Sequence, residues 1–222
     1  MPIYELSPAA RSRTDDALFA AIADALRSDG VAVFKQALPA VLQALLCEQF
    51  QAMRDARFHP AGIGRQRNHT RAVAVRSDSI AWIDGESVAG RAWLEWCAAL
   101  QSYLNRSLLL GLFSFESHFA HYAPGDFYRR HVDAFNGEAN RVVSLVAYFN
   151  PQWEPADGGE LVLYGEGVEE GGRRVLPELG TLVVFLSEEF PHEVLPARRD
   201  RLSVAGWFRV NGSAAGRVDP PD

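Results

Sequence analysis

A run of alternating polar and apolar residues from Phe115 to Asp133, FESHFAHYAPGDFYRRHVD, decides the fold of this chain. Similar short runs continue as far as Val210, and turn-forming pairs such as Asn136-Gly137 and Gly171-Gly172 separate them. Many short strands at this spacing are typical of a β-sandwich or a jelly-roll barrel. The second half of the chain is therefore predicted to have one of these two architectures.

The first half of the chain has helical rather than strand periodicity. Apolar residues recur at helical spacing from Asp15 to Ser28, again from about Pro39, and again from about Arg91 to Leu110. A short apolar run that begins at Val31 predicts a strand between the first two helices. We therefore expect helices to precede the β-rich half.

A longer segment of mixed character lies between the second and third predicted helices. It contains three glycines, several arginines and two short β-like pieces around Val73 and Ile80. These pieces predict a β-hairpin with a mobile loop before it. A loop of this length in a compact domain is often functional.

The composition is that of an ordinary globular protein, with 222 residues, 48% apolar and 23% charged. A net charge of -6 argues against a general nucleic-acid binder, which would carry a basic surface. Cys47 and Cys97 are expected to be buried free thiols, since their spacing fits neither a metal site nor a redox pair. Neither a signal peptide nor a membrane span is evident, so a cytoplasmic location is expected.

The sharpest local motif is His131-Val132-Asp133. Residues i and i+2 of a strand point to the same face, so the imidazole and the carboxylate can converge on one ion. His192, after Pro191, can supply a third ligand from another strand. Two His and one carboxylate leave three positions open, as in non-haem Fe(II) oxygenases, whereas a structural zinc site is closed by four ligands. On its own, the His-x-Asp spacing is weak evidence for a metal site.

Arg201 strengthens the case for an iron oxygenase. It lies on the next strand-like segment after His192, from which its guanidinium can face the barrel interior. A buried Arg needs a partner, and a carboxylate bound through two hydrogen bonds is a natural one. Iron together with an Arg that binds a dicarboxylate indicates 2-oxoglutarate.

Four ordered motifs also carry a family resemblance: HYAPGDFYRRHVD, VSLVAYFNPQW, DGGELVLY and PHEVLPARRDRLSVAGWF. Together they resemble the catalytic core of the prolyl 4-hydroxylase group of 2-oxoglutarate oxygenases. The resemblance is closest to the oxygen-sensing hypoxia-inducible-factor prolyl hydroxylases and their bacterial relatives, and it extends over roughly residues 31–210. It implies an α+β fold with a double-stranded β-helix (jelly-roll) core and supporting N-terminal helices.

The resemblance also implies a division of the chain. Residues 1–110 would form helical support with a β-hairpin and a substrate loop, and residues 111–210 the double-stranded β-helix catalytic core. These two parts would make one integrated domain. Residues 211–222 would be a flexible tail.

Site residues follow from the resemblance position by position. His131, Asp133 and His192 would hold the iron, Arg201 would bind the 5-carboxylate of 2-oxoglutarate, and Tyr148 and Tyr122 would complete that pocket. Without the resemblance, both tyrosines would be interpreted as core aromatics. The residues expected to contact the substrate are Arg76, Asp78, Arg130 and Trp207.

The implied activity is Fe(II)- and 2-oxoglutarate-dependent hydroxylation of a prolyl residue in a protein, with release of succinate and CO2. O2 would be consumed and ascorbate would support turnover. The bacterial relatives suggest a translation factor as the protein substrate, and a role in oxygen sensing, a monomeric state and no nucleic-acid or membrane partner are expected. Two alternatives stay open: a 2-oxoglutarate oxygenase acting on a free amino acid or small metabolite, and a non-catalytic, cupin-like metal or ligand sensor.

Overall fold

A computed structural model describes residues 3–5, 14–53, 58–61, 75–134, 140–166 and 170–211. Its helices are α1 (Thr14–Asp29), α2 (Ala40–Ala52) and α3 (Val88–Leu108). No helix in these ranges is long and apolar enough to cross a membrane.

Strands account for about half of the remaining described residues. They are β1 (Ile3–Glu5), β2 (Val31–Lys35), β3 (His59–Pro60), β4 (Ser79–Trp82), β5 (Leu112–Tyr122), β6 (Tyr128–His131), β7 (Arg141–Tyr148), β8 (Leu161–Leu163), β9 (Arg173–Val175), β10 (Leu182–Leu186), β11 (His192–Val194) and β12 (Arg201–Val210).

The strands form two sheets that face each other. The major sheet has eight strands in the order β1-β2-β10-β7-β12-β5-β4-β3, and the minor sheet has four in the order β6-β11-β8-β9. All of the pairings are antiparallel except that of β1 with β2. The predicted jelly-roll core with supporting helices is confirmed.

Two apolar clusters lie on opposite faces of the major sheet. The larger one packs the helices against the sheet and includes Trp93, Leu100 and Phe208. The smaller one lies between the two sheets and includes Tyr122, Tyr148 and Phe185. Because side chains alternate between the two faces of a strand, residues of one strand can contribute to both faces of the sheet. The face toward the minor sheet carries the polar residues discussed below.

The predicted elements agree with the structure apart from local details. Helix α3 begins before Arg91, because the side chain of Ser87 accepts a hydrogen bond from the backbone N–H of Gly90 and caps the helix. It ends before Leu110, because Leu109 adopts a left-handed conformation at φ 55°.

The other differences concern the hairpin and the termini. The strand at Ile80 pairs with His59 and with β5, while the expected β-like piece around Val73 lies outside the described residues. Most of the expected flexible tail, residues 212–222, also lies outside them. Cys47 and Cys97 are free thiols; Cys97 is buried, as expected, whereas the expected burial of Cys47 is wrong, since it is only partly buried.

Candidate metal and co-substrate site

His131, Asp133 and His192 meet between the two sheets, and one donor atom from each lies within 4.8 Å of the others. The Nε2 atoms of His131 and His192 are each 3.6 Å from a carboxylate oxygen of Asp133. The two histidines come together because β6 and β11 are paired with His131 directly opposite His192. Asp133 lies two residues beyond His131. The arrangement presents two nitrogens and a carboxylate to one point, as a 2-His-1-carboxylate metal site requires.

Hydrogen bonds fix the direction of all three side chains. Nδ1 of His131 is 2.8 Å from the carbonyl oxygen of Arg129, and Nδ1 of His192 is 2.9 Å from that of Phe190. An Nδ1–H that donates to a carbonyl leaves the Nε2 lone pair free for a metal. Ser144 donates to Asp133 at 2.6 Å. These contacts orient the ligand set in the way that metal sites in proteins usually need.

Electrostatics favours the protonation states that bind a cation. Burial alone would raise the pKa of Asp133, but His192, His131 and the Ser144 hydroxyl together lower it below its usual value. Burial lowers the pKa of His192. An ionised carboxylate beside a neutral imidazole is the combination that metal binding demands.

A second set of polar residues surrounds Arg201, which is 1% exposed, between the two sheets. We call this set, formed by Arg201, Ser203, Tyr122 and Tyr148, the Arg201 cluster. Its Nε donates to the carbonyl of Gly159 at 2.8 Å, and its Nη1 to the hydroxyl of Ser203 at 3.3 Å. Its guanidinium lies 4.9 Å from the ring centre of Tyr122 and 5.0 Å from that of Tyr148. Strand pairing explains the cluster, since Arg201 is opposite Tyr122 and Ser203 is opposite Tyr148.

Among the described residues, the hydrogen bonds of Arg201 include no anionic acceptor, and the Tyr148 hydroxyl has no hydrogen-bond partner. Both groups to which Arg201 donates are uncharged. The hydroxyl of Tyr148 is buried and has no hydrogen-bond partner among the described residues. A buried cation and a buried unpaired donor are both costly. A carboxylate placed between them would satisfy both, so this end of the barrel fits the far carboxylate of 2-oxoglutarate.

Comparison with known proteins agrees with this geometry. The family model described as the 2OG-Fe(II) oxygenase superfamily matches residues 117–209, which contain the three metal-site residues and the Arg201 cluster. The chain is also similar to the crystal structure of a prolyl-4-hydroxylase from Pseudomonas putida. That similarity has 42% sequence identity and a TM-score of 0.76, and it covers 86% of this chain and 98% of that chain. The chain belongs to the 2OG-Fe(II) oxygenase superfamily.

Two further similarities are more limited. A prolyl hydroxylase from Trichoplax adhaerens, solved with a peptide fragment of hypoxia-inducible factor, has the same fold at 24% identity and a TM-score of 0.77, over 92% of this chain and 94% of that one. A prolyl 3-hydroxylase from Xenopus laevis, OGFOD1, is 33% identical over 99 residues. This match covers 40% of the oxygenase described here and 18% of the Xenopus protein.

Two of the expected substrate residues, Trp207 and Arg130, lie on β12 and β6. Trp207 is opposite Ser144, which bonds to Asp133, and its ring lies under the guanidinium of Arg141 at 3.7 Å. Arg130 is on β6, next to His131, and lies 3.8 Å over the ring of Tyr164. Contact of either residue with a substrate stays a prediction.

Arg76 and Asp78, the other two expected substrate residues, bind each other. Arg76 donates two hydrogen bonds to the Asp78 carboxylate, at 2.7 and 2.6 Å. Asp78 is 1% exposed, and although burial opposes the charged form, this pairing raises the pKa of Arg76. The guanidinium also lies 4.3 Å over the ring of Tyr128. Their role in gripping a substrate stays a prediction.

Sequence reasoning missed several residues that shape the site. Ser144 lies within the quoted run VSLVAYFNPQW but was assigned no role, although it is four residues before Tyr148 on β7 and therefore shares its face. Ser187, fully buried, lies 2.9 Å from the Ser144 hydroxyl. Gly159 has the sequence signature of a turn residue alone, yet its carbonyl holds Arg201. Period-two alternation is a usable signal for Ser144, whereas the Gly159 and Ser187 contacts depend on distant strands.

Proposed function

We propose that this oxygenase uses Fe(II) and 2-oxoglutarate to hydroxylate a prolyl residue in a protein, releasing succinate and CO2. The observation that carries the proposal is the buried Arg201 beside the unpartnered Tyr148 hydroxyl, in the same barrel as the His-Asp-His set. The prolyl specificity is supported by the similarity to the Pseudomonas putida prolyl-4-hydroxylase.

His131, Asp133 and His192 would hold the iron and leave positions for 2-oxoglutarate and O2. Iron bound there supplies the oxidation in which one oxygen atom of O2 enters the substrate and the other enters succinate. The protein supplies geometry and a shielded environment. Phe185 contributes to both, because its ring packs edge-on against His192 with centres 4.9 Å apart.

Arg201 and Tyr148 would bind the 5-carboxylate of 2-oxoglutarate. Burial raises the pKa of Tyr148 to about 12, so its hydroxyl keeps its proton and can donate it in a hydrogen bond. Burial also raises the pKa of Tyr122. A guanidinium and a phenol that converge on one carboxylate select a dicarboxylate of limited length, since the other end must reach the metal.

A protein substrate would contact Trp207 on the face of the major sheet that is directed toward the minor sheet. The guanidinium of Arg141 lies 3.7 Å over the Trp207 ring, and the Trp207 and His118 rings lie 5.5 Å apart with their planes tilted by 55°. The apolar surface of an aromatic ring suits contact with the ring of a proline. The resemblance to bacterial relatives makes a translation factor the first cellular substrate to test.

The test is an incubation of purified protein with Fe(II), 2-oxoglutarate, ascorbate and a soluble protein extract, followed by measurement of succinate and mass spectrometry of the extract. We expect extract-dependent succinate and a prolyl residue that has gained one oxygen atom. His131→Ala and Arg201→Ala should abolish or strongly reduce both signals. A reaction without ascorbate measures whether ascorbate supports turnover.

The same assay separates the alternatives. Succinate formation that depends on a free amino acid or a small metabolite, with no modified protein, would contradict the protein-substrate proposal. A protein that binds metal and 2-oxoglutarate but forms no succinate under any condition would favour a sensor. Oxygenation of a residue other than proline would support the proposed use of Fe(II) and 2-oxoglutarate and contradict the proposed prolyl specificity.

A further inference from the structure

A stack of three flat side chains ends on the metal-site residue His131. The Tyr128 and His131 rings are stacked, with centres 3.6 Å apart and planes 14° apart. The guanidinium carbon of Arg76 lies 4.3 Å from the centre of the same Tyr128 ring. The stack therefore runs from segment 75–78 through β6 to the metal site.

Asp78 fixes the outer end of the stack. The Arg76 side chain is 10% exposed and the Asp78 side chain 0%. The two parallel hydrogen bonds between them set both the position and the plane of the guanidinium. A flexible lysine ammonium would provide the charge without that plane.

The backbone holds segment 75–78 against the strand that carries His131. Arg76 forms a bridge with Tyr128, and the N–H of Arg129 donates to the carbonyl of Val75 at 2.8 Å. The N–H of Ser77 donates to the carbonyl of Phe127 at 3.1 Å. The stack is thus attached through its main chain as well as its side chains.

His131 needs such support more than the other histidine of the site. Its side chain is 18% exposed, against 7% for that of His192, which also packs against Phe185. The contact between Nδ1 and the Arg129 carbonyl fixes one point of the His131 ring and leaves its tilt free. The tilt decides where Nε2 points, and stacking on Tyr128 sets it.

We propose that Arg76 and Tyr128 are positioning residues for His131: Asp78 fixes Arg76, Arg76 fixes the Tyr128 ring, and the ring holds the imidazole in the orientation that binds metal. This inference concerns the metal site alone and does not depend on the prolyl substrate.

The test is titration of the metal-free protein with Co(II), read from visible absorption, which reports both affinity and ligand geometry. Tyr128→Leu removes the stacked ring and Tyr128→Phe keeps it. Arg76→Lys keeps the charge beside Asp78 and removes the flat group. We expect Tyr128→Leu to weaken Co(II) binding about tenfold or more, Arg76→Lys to weaken it severalfold with an altered spectrum, and Tyr128→Phe to resemble the wild type.

Arg199→Lys is the matched control. Arg199 also combines a contact with a carboxylate, 3.4 Å from Asp157, and a ring, 4.7 Å from the centre of Trp153, but its contacts do not include His131. The Arg199→Lys variant should bind Co(II) with the affinity of the wild type. Thermal unfolding of the metal-free proteins identifies any general loss of stability.

Wild-type Co(II) affinity and spectrum in both Tyr128→Leu and Arg76→Lys would overturn the proposal. Equal weakening in the Arg199→Lys control would also overturn it, since the effect would then be unspecific. If Tyr128→Leu does not fold, Arg76→Lys still decides the question. Because no substrate is present, failure here is distinct from failure of the proposed prolyl hydroxylation.

Discussion

Arg201 and Tyr148 show how single residues can indicate which ligand a site binds. Both are buried. Among the described residues, Arg201 donates hydrogen bonds only to uncharged groups, and the Tyr148 hydroxyl has no hydrogen-bond partner. Leaving such groups unpaired costs more than a hydrogen bond contributes when it forms. The two residues therefore gain most when a carboxylate binds between them.

Tyr148→Phe tests this reasoning directly. It should raise the KM for 2-oxoglutarate roughly tenfold to a hundredfold, because a hydrogen bond to a charged group contributes roughly 1.5–3 kcal/mol. Stability of the ligand-free protein to urea should be unchanged or higher, since an unpartnered buried hydroxyl is removed. Tyr103→Phe, on α3, is the control and should change neither quantity. An unchanged KM for Tyr148→Phe would place the carboxylate elsewhere.

His118 is a buried histidine that lies outside the metal site. It is 3% exposed and its ring packs against Trp82 and Trp207. Burial, followed by the nearby Arg76, lowers the pKa of His118 to about 4, against opposing contributions from Asp78 and the Phe119 carbonyl. It is therefore neutral at physiological pH.

This shift predicts a pH-dependent stability. The unfolded chain protonates His118 near its ordinary pKa of about 6.5, and the folded chain only near 4, so acid favours unfolding. Stability should fall as pH drops through this window. In urea unfolding of the metal-free protein, His118→Met should reduce the slope of stability against pH by about 1 kcal/mol per pH unit between about pH 5 and 6. An unchanged slope would mean that His118 titrates normally when folded.

At the scale of elements, β12 and the turn before β8 together build the co-substrate pocket. Alternation on β12 brings Arg201, Ser203 and Trp207 onto the face toward the minor sheet. Gly159, at φ 70°, brings its carbonyl against Arg201. A Cβ at Gly159 would lie 2.9 Å from the Cβ of Ala197 and 3.2 Å from the Cδ of Arg201. The turn therefore needs glycine for both its conformation and the space.

Gly159→Ala should weaken 2-oxoglutarate binding because it displaces Arg201, and should destabilise the protein by more than the roughly 1–2 kcal/mol of left-handed strain alone. Gly111→Ala is the control, since Gly111 has φ 67° and a Cβ added there would meet nothing within 4 Å. Gly111→Ala should lower the free energy of unfolding, measured in urea, by the left-handed strain alone. It should leave the affinity for 2-oxoglutarate, measured by calorimetry, unchanged. Equal losses of affinity in both variants would show that Arg201 is not held by the turn.

At the scale of the whole molecule, the two sheets divide the site between them. β6 and β11 of the minor sheet carry His131 and His192, while β7 and β12 of the major sheet carry Tyr148 and Arg201. A 2-oxoglutarate molecule that binds both the metal and Arg201 would therefore connect the two sheets.

Mn(II) and 2-oxoglutarate should accordingly stabilise the fold together. At about 100 times its Kd, a ligand that binds only the folded state adds about 2.7 kcal/mol, which corresponds to a rise in Tm of roughly 5–10 °C. In thermal unfolding monitored by circular dichroism, the Arg201→Lys variant should lose most of the rise in Tm caused by 2-oxoglutarate and keep the rise caused by Mn(II). If 2-oxoglutarate raised the Tm of the Arg201→Lys variant as much as that of the wild type, Arg201 would not bind the co-substrate.

The sequence by itself determined the elements and much of the chemistry. Helical spacing located α1 and α2 closely, and alternation located the strands, because both periods follow from local backbone geometry. His131 and Asp133 were recognisable from their spacing, although β6 ends at His131 and Asp133 lies two residues beyond the strand expected to carry both. Arg201 was recognisable because a buried guanidinium needs an anion.

Only the tertiary structure decided which groups meet. The pairing of β6 with β11 places His131 opposite His192, and that register depends on the whole barrel rather than on either segment. The same holds for Ser144 beside Asp133, for the unpartnered Tyr148 hydroxyl, and for the Arg76–Tyr128–His131 stack. These contacts join residues from different strands and loops, and their distances arise only when the sheets close around a common core.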